Sequence, residues 1–219
     1  MERWASFDCY GTLIDWDGGI RGELARLWPS EDADALLARF HEIEPRVELN
    51  PELPYRAVLA QTLRLLADSE GLDLRPEDEP ALADALPSWR AFPEVPSELA
   101  ELRARGWRLA VLSNTDPDLL AASLAQIGTR VDATVTAIEA RSYKPAYGHW
   151  LRFFERADVD RSRHVHVAAS AFHDLAPAAE LGVPAVWINR LAETSDLRRA
   201  AELPSLAGLA EALDAIVPA

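Results

Sequence analysis

The sequence predicts an α/β fold: a parallel sheet covered by helices on both faces, with an all-helical domain inserted after the first strand. Three observations carry this expectation. One short apolar strand stands alone near the start. Residues 20–86 then show only helical periodicity. After Pro93, short apolar strands alternate with helices.

Each element has its own signal. Trp4–Asp8 reads as an apolar strand that stops at an acid, and 9–13 (Cys-Tyr-Gly-Thr-Leu) as a tight loop. Ile20, Leu24 and Leu27, then Leu36, Leu37 and Phe40, then Val58, Leu59, Leu63 and Leu66 recur at helical spacing. Prolines 29, 45, 51, 54, 76, 80 and 87 divide this stretch into several helices. Pro96–Arg105 is a helix closed by Gly106, and Arg108–Leu112 is an apolar strand. Asp116–Gly128 is a helix with Asp116 as N-cap and Pro117 at its first position. A weaker strand, Val131–Val135, precedes a helix at Tyr147–Ala157. Strand Val165–Ala168, helix His173–Leu181, strand Ala185–Ile188 and helix Leu206–Ile216 complete the chain. The expected domains are residues 1–14 plus 93–219 as the core and 15–92 as the helical cap.

Composition narrows the function classes. The 219 residues are 49% hydrophobic and 26% charged, as in ordinary globular chains. Cys9 is the only cysteine, which excludes an internal disulfide and a four-cysteine zinc site. Twenty-two basic against 36 acidic residues leave a net charge of −14, which repels nucleic acid and anionic lipid. No apolar run is long enough to span a membrane. The chain goes almost at once into a core strand, with no room for a signal peptide, so the expected location is the cytoplasm.

In open α/β sheets, ligands sit beyond the carboxyl ends of the strands. Four polar clusters fall there: Asp8 to Thr12, Ser113 to Thr115, Ser142 to Pro145, and Ser170 to Asp174. Brought together, they suit nucleophilic catalysis by Asp8 on carbon or phosphorus. Lys144 would keep Asp8 ionised and balance an anionic small-molecule substrate. Thr12 and Ser113 would donate hydrogen bonds to oxygens that gain charge, and Asp174 would hold Lys144 and direct a water. Taken singly, each residue has a plainer reading: Asp8 a turn former, Lys144 a solvated lysine, Asp174 a helix-start acid. His164 and His166 alternate on a strand and read as structural.

The motifs resemble the haloacid dehalogenase (HAD) superfamily. The residues concerned are Phe-Asp-x-Tyr-Gly-Thr-Leu at 7–13, Leu-Ser-Asn at 112–114, Tyr-Lys-Pro at 143–145 and Asp174. With Trp-Ile-Asn-Arg at 187–190, the sequence is most similar to the L-2-haloacid dehalogenase-like branch. The resemblance implies a Rossmann-like core with a helical cap and a homodimer formed through that cap. It also implies displacement of halide from a short 2-halo acid by Asp8, then hydrolysis of the aspartyl ester without a metal. Thr12, Ser113 and Lys144 would bind nucleophile and substrate carboxylate, Asn114 would lie near the halide, and Tyr10 would line the pocket.

Tyr10 decides between reactions. HAD phosphatases carry a second Asp there, which protonates an alkoxide leaving group. A halide leaves without a proton. The alternatives are a phosphatase with magnesium held by Asp8 and Asp174, and a catalytically weak binding protein. The substrate shell departs from the family. Leu36 falls where relatives have a cap arginine, with Arg39 one turn on as its substitute. Trp150 replaces a tyrosine, and Ala171 and His173 replace an Asn and a Trp beside Ser170. Glu42 and Glu44 lie on the same cap helix, read either as a solvated face or as a pocket for a different substrate.

Overall fold

The structure is a computed structural model that describes residues 2–219. Met1, with which the expected core begins, lies outside them. Six parallel strands form one sheet in the order β3-β2-β1-β4-β5-β6. They are β1 (Arg3–Phe7), β2 (Trp107–Ser113), β3 (Ala133–Thr136), β4 (His164–Ala168), β5 (Ala185–Ile188) and β6 (Ala201–Leu203). Chain order reverses where β1 lies between β2 and β4, so the switch-point crevice opens beyond the carboxyl end of β1. The five expected strands are present. β6 was not expected: it is three residues at an edge, Ala201 and Leu203 half-buried and Glu202 exposed, too short for any pattern to emerge. The weak strand lies at 133–136 instead of 131–135.

Between β1 and β2 the chain builds α1 (Trp16–Leu27), α2 (Ala33–Val47), α3 (Tyr55–Glu70) and α4 (Ala81–Ala85), with two short 3₁₀ turns. It leaves and returns side by side: Asp15 N donates to Arg90 O at 2.9 Å and Phe92 N to Leu13 O at 3.0 Å. Pro45 does not divide the helices as expected. It lies within α2, two residues from the end, where a missing N–H costs only a late hydrogen bond. The other prolines of this segment fall at element boundaries or in the short turns.

After β2 come α6 (Pro117–Ile127), α7 (Ala137–Ala140), α8 (Gly148–Ala157), α9 (Ala176–Glu180) and α10 (Leu209–Ile216); α5 (Val95–Ala104) precedes β2. The expected helix at 173–181 starts instead as a π-helical turn, Ala171–Leu175, before α9. Side chains of β1 alternate between two apolar layers. Ala5 and Phe7 join the layer that continues into the helical insert, and Trp4 faces the layer of Trp150, Phe153 and Trp187.

Asp116 occupies the N-cap position of α6, but its side chain serves another helix. Its carboxylate accepts from the backbone N–H of Tyr55 and of Arg56, at 2.9 and 3.0 Å, and so caps α3 of the insert. A core residue thereby fixes where the insert sits over the sheet. Among the described residues, no helix is long and apolar enough to cross a membrane.

Candidate active site

Asp8 follows the last residue of β1, and its N–H extends the ladder to Val167 O at 3.0 Å. The loop beyond it closes tightly, with Leu13 N and Ile14 N both donating to Cys9 O. Gly11 turns this loop at φ +83°, a conformation that side-chain-bearing residues rarely adopt. Thr12 is thereby folded back onto Asp8: its Oγ1 donates to Asp8 Oδ2 at 2.8 Å and accepts from Ala169 N at 2.9 Å. Arg190, stacked on Phe92, donates to Thr12 O at 2.9 Å and supports the loop from β5.

Lys144 lies in the segment after α7, and its ammonium reaches the centre. Nζ donates to Asp8 Oδ1 and to Asp174 Oδ1, both at 2.7 Å. The side chains of Asp8, Lys144 and Asp174 are 11%, 1% and 1% exposed. Such a triad is stable only because each charge faces its opposite; deleting one partner strands the others in a dry site. Lys144 stays cationic because the two carboxylates outweigh the burial that opposes its charge, raising its pKa above the ordinary value. Burial opposes the charge of Asp174 too, but Lys144 and His166 hold its pKa well below the carboxylate range. One of the three ammonium protons remains uncommitted, and Asp174 Oδ2 is buried with no partner among the described residues.

The structure therefore brings Asp8, Thr12, Lys144 and Asp174 together. Ser113, at the end of β2, is buried with its hydroxyl unpartnered among the described residues, while His149 donates to its carbonyl at 3.1 Å. His149 is neutral: burial and the nearby Lys144 push its pKa down to about 3. Asn114 is committed elsewhere than expected. Its Oδ1 accepts from Lys144 N at 2.6 Å and its Nδ2 donates to Lys144 O at 3.1 Å, a two-point clamp on the lysine backbone. Tyr10 packs between Tyr55 and Trp89 and shares a hydrogen bond with Ser123 at 2.9 Å. Burial raises its pKa, so its phenol is a poor acid.

Two expected substrate residues need correction. Arg39 does not replace a cap arginine. Leu36, Phe40, Ile43 and Val47 form the buried stripe of α2, and Arg39 lies off that stripe, exposed and paired with Glu42 and Glu70. Trp150 is fully buried beneath the sheet, edge-on to His166, where no substrate reaches it. Ser170 and His173 stay near the site with other tasks. Ser170 Oγ accepts from His173 N at 3.0 Å and caps the π-helical turn, and the ring of His173 leans toward Glu48 at 3.5 Å.

Sequence reasoning left Glu44 open between a solvated face and a pocket, and missed Glu48. Glu44 is buried and accepts from Tyr55 Oη at 2.8 Å. Burial, and then the nearby charge of Glu48, raise its pKa well above the carboxylate range. Glu48 Oε1 lies 3.5 Å from Asn114 Nδ2. Of the two expected acids, Glu42 is solvated and Glu44 faces inward. The missed signal was helical phase: Glu44 and Glu48 fall at i and i+4 beside the apolar stripe.

A magnesium ion held by Asp8 and Asp174 does not fit this donor set. Both Oδ1 atoms face the same ammonium, the residue two after Asp8 is a tyrosine, and no cluster of three His, Cys, Asp or Glu stands among the described residues. A cavity of about 260 Å³ opens beside the loop, lined by Gly11, Trp16, Phe92, Ala169 and Arg190 among others. It does not take in Asp8, Lys144 or Asp174.

Comparison with known proteins followed the same lines. A family model for haloacid dehalogenase-like hydrolases matches residues 3–182. The (S)-2-haloacid dehalogenase of Pseudomonas sp. (strain YL) is 31% identical over 191 residues, covering 84% of this chain and 82% of that one. The crystal structure of the L-2-haloacid dehalogenase RSc1362 superposes with a TM-score of 0.86 at 24% identity, over 97% of this chain and 99% of that one. The L-2-haloacid dehalogenase from Xanthobacter autotrophicus with chloropropionic acid covalently bound gives 0.85 at 20% identity, over 96% and 98%. At these identities, the two structures show a shared fold.

Proposed function

The chain belongs to the haloacid dehalogenase-like hydrolases, and from that premise we propose that it is a 2-haloacid dehalogenase with Asp8 as nucleophile. One observation carries the reading. A single carboxylate at the switch point accepts hydrogen bonds from Lys144 and Thr12, and the residue two positions on is Tyr10, not a second acid.

A carboxylate oxygen of Asp8 attacks carbon 2 of the substrate from the side opposite the halogen. The carbon–oxygen bond forms as the carbon–halogen bond breaks, and the electron pair leaves on halide. No proton is needed, so the weak acidity of Tyr10 is no handicap. The free proton on Lys144 and the unpartnered hydroxyl of Ser113 are the donors for the substrate carboxylate. Water then attacks the ester carbonyl carbon of Asp8, giving up its proton toward the free Oδ2 of Asp174. The products are a 2-hydroxy acid, halide and one proton, and Asp8 is regenerated.

The same reading treats residues 1–14 plus 93–219 as the core domain and 15–92 as the cap. The paired crossing of 13–15 with 90–92 supports that division. It describes a cytoplasmic, metal-independent homodimer joined through the cap, acting on small anionic acids and on neither nucleic acid nor membrane. The ammonium-bridged carboxylates favour metal independence. The net charge of −14 disfavours polyanionic partners.

The test is a paired assay. Halide release from L- and D-2-chloropropionate and chloroacetate is measured beside phosphate release from an aryl phosphate, each with magnesium and with EDTA. Asp8-dependent halide release in EDTA is the expected result. Magnesium-dependent phosphate release, absent in Asp8→Asn, would replace this reading with the phosphatase alternative.

A further inference from the structure

Behind the triad lies a second polar group that the mechanism above does not use. His164 and His166 on β4 and Ser6 on β1 are all fully buried, on the face packed by Trp150 and Phe153. Parallel register sets Ser6 opposite His166. Ser6 Oγ lies 2.7 Å from His164 Nε2 and 2.7 Å from His166 Nδ1, and His166 Nε2 lies 2.9 Å from Asp174 Oδ1.

The protons in this chain can be counted. Asp174 is a carboxylate and only accepts, so His166 Nε2 carries a proton. With that proton on Nε2, the string closes when Nδ1 accepts the single hydroxyl proton of Ser6. Ser6 Oγ in turn accepts from His164, whose Nε2 must be the protonated nitrogen. His164 is neutral, since burial pushes its pKa down to about 3, and its Nδ1 has no partner among the described residues. Every hydrogen bond thus points the same way: His164 to Ser6 to His166 to Asp174. Three polar side chains in an apolar layer are costly unless they are mutually satisfied. Here they form one directional string, and its outer end is the oxygen that also accepts from Lys144.

We propose that His166, backed by Ser6 and His164, is a positioning residue for Asp174. It holds Oδ1 beside Lys144 from the rear, so that Oδ2 is the one oxygen left to orient the hydrolytic water. This deepens the dehalogenase reading and rests on it for the water step. The role belongs to ester hydrolysis more than to halide displacement. Loss of His166 lets the Asp174 carboxylate rotate, which slows the second step while the first continues.

Two measurements test this. His166→Leu is expected to lower kcat about 10²-fold with little change in KM, and to accumulate a covalent Asp8 adduct visible by intact mass after mixing with 2-chloropropionate. His166→Gln, which keeps a side-chain N–H donor, restores much of kcat. Unchanged kcat, or a slowed first step with no adduct, would overturn the proposal. Imidazole ¹⁵N NMR on the wild-type protein reads the string directly, even where the leucine variant fails to fold. Nε2-protonated His166 and His164 are expected, with the His166 resonances moved by Asp174→Asn. A His166 protonated on Nδ1 alone, or one indifferent to Asp174→Asn, would overturn it. Absence of halide release by the wild type would sink the dehalogenase reading alone, and the NMR result would still decide the string.

Discussion

The core and the insert face the same site with opposite chemistry. On the core side, Thr12, Asp8, Lys144 and Asp174 form a chain of charge-assisted hydrogen bonds, all at 2.7 or 2.8 Å. On the insert side stand Glu44 and Tyr55, bonded to each other, and Glu48 beside Asn114: two carboxyl groups and a phenol. Arg39, the cation expected there, points to solvent. The difference separates two decisions. The proposed function gives the core the reaction, because the core holds Asp8 paired with Lys144. It gives the insert the choice of substrate, because Glu48 reaches Asn114 beside Lys144 from the insert side. Burial raises the pKa of Glu44, and while its carboxyl keeps the proton it can donate a hydrogen bond where an arginine would, without adding a cation.

The sharpest way to break this division is Lys144→Ala. It leaves two buried carboxylates unpaired, with an expected cost of about 3–5 kcal/mol in urea unfolding and nearly complete loss of turnover. A loss of only a few-fold would move the reaction's charge balance away from the core. The next effect concerns pH. His149 and His164 have folded pKa values of about 3 against an ordinary value near 6.5, so the unfolded chain takes up protons that the folded one refuses. Their contribution is complete above about pH 6.5 and is lost as pH falls toward 3. Tm is expected to decline across that window, before the depressed Asp174 begins to titrate. A Tm flat from pH 6.5 down to pH 4 would contradict the neutral burial of these rings.

Glu44→Gln tests the insert side. Above the ordinary carboxylate range the unfolded chain ionises Glu44 while the folded one keeps its proton, so the residue costs stability increasingly as pH rises. The glutamine variant is expected to be more stable than the parent by about 1 kcal/mol at pH 8, with no gain at pH 4, and to alter KM more than kcat. A change in kcat alone would assign Glu44 to the reaction instead. The smallest effect belongs to Arg39→Ala. Its ion pairs are exposed, so kcat/KM and Tm are expected to stay unchanged. A large rise in KM would return Arg39 to the pocket.

Much of this architecture was legible in the chain. Asp8, Lys144 and Asp174 could be read because each sits just beyond a strand or in a connecting loop on the same side of the sheet, and parallel topology sends all such positions to one crevice. Thr12 was legible because it reaches Asp8 within one tight loop. What escaped depended on partners remote in sequence or on phase. Ser6 meets His166 across 160 positions, so neither histidine announced a partner. Asp116 carries the signature of an N-cap, and nothing local says that it caps a helix 60 residues earlier. Arg39 and Glu44 lie on one helix, and which of them faces the site follows from how the stripe of Leu36, Phe40 and Ile43 packs. Trp150 could be placed on a helix but not on the far side of the sheet.

The claim that Asp8 itself is alkylated is tested most directly by a single turnover in H₂¹⁸O with enzyme in excess over 2-chloropropionate, followed by peptide mass analysis. The account predicts ¹⁸O in the Asp8 carboxylate and unlabelled oxygen in the 2-hydroxy acid released in that first turnover. Label found in the product alone, with Asp8 unchanged, would mean that water attacks carbon 2 directly and would contradict it.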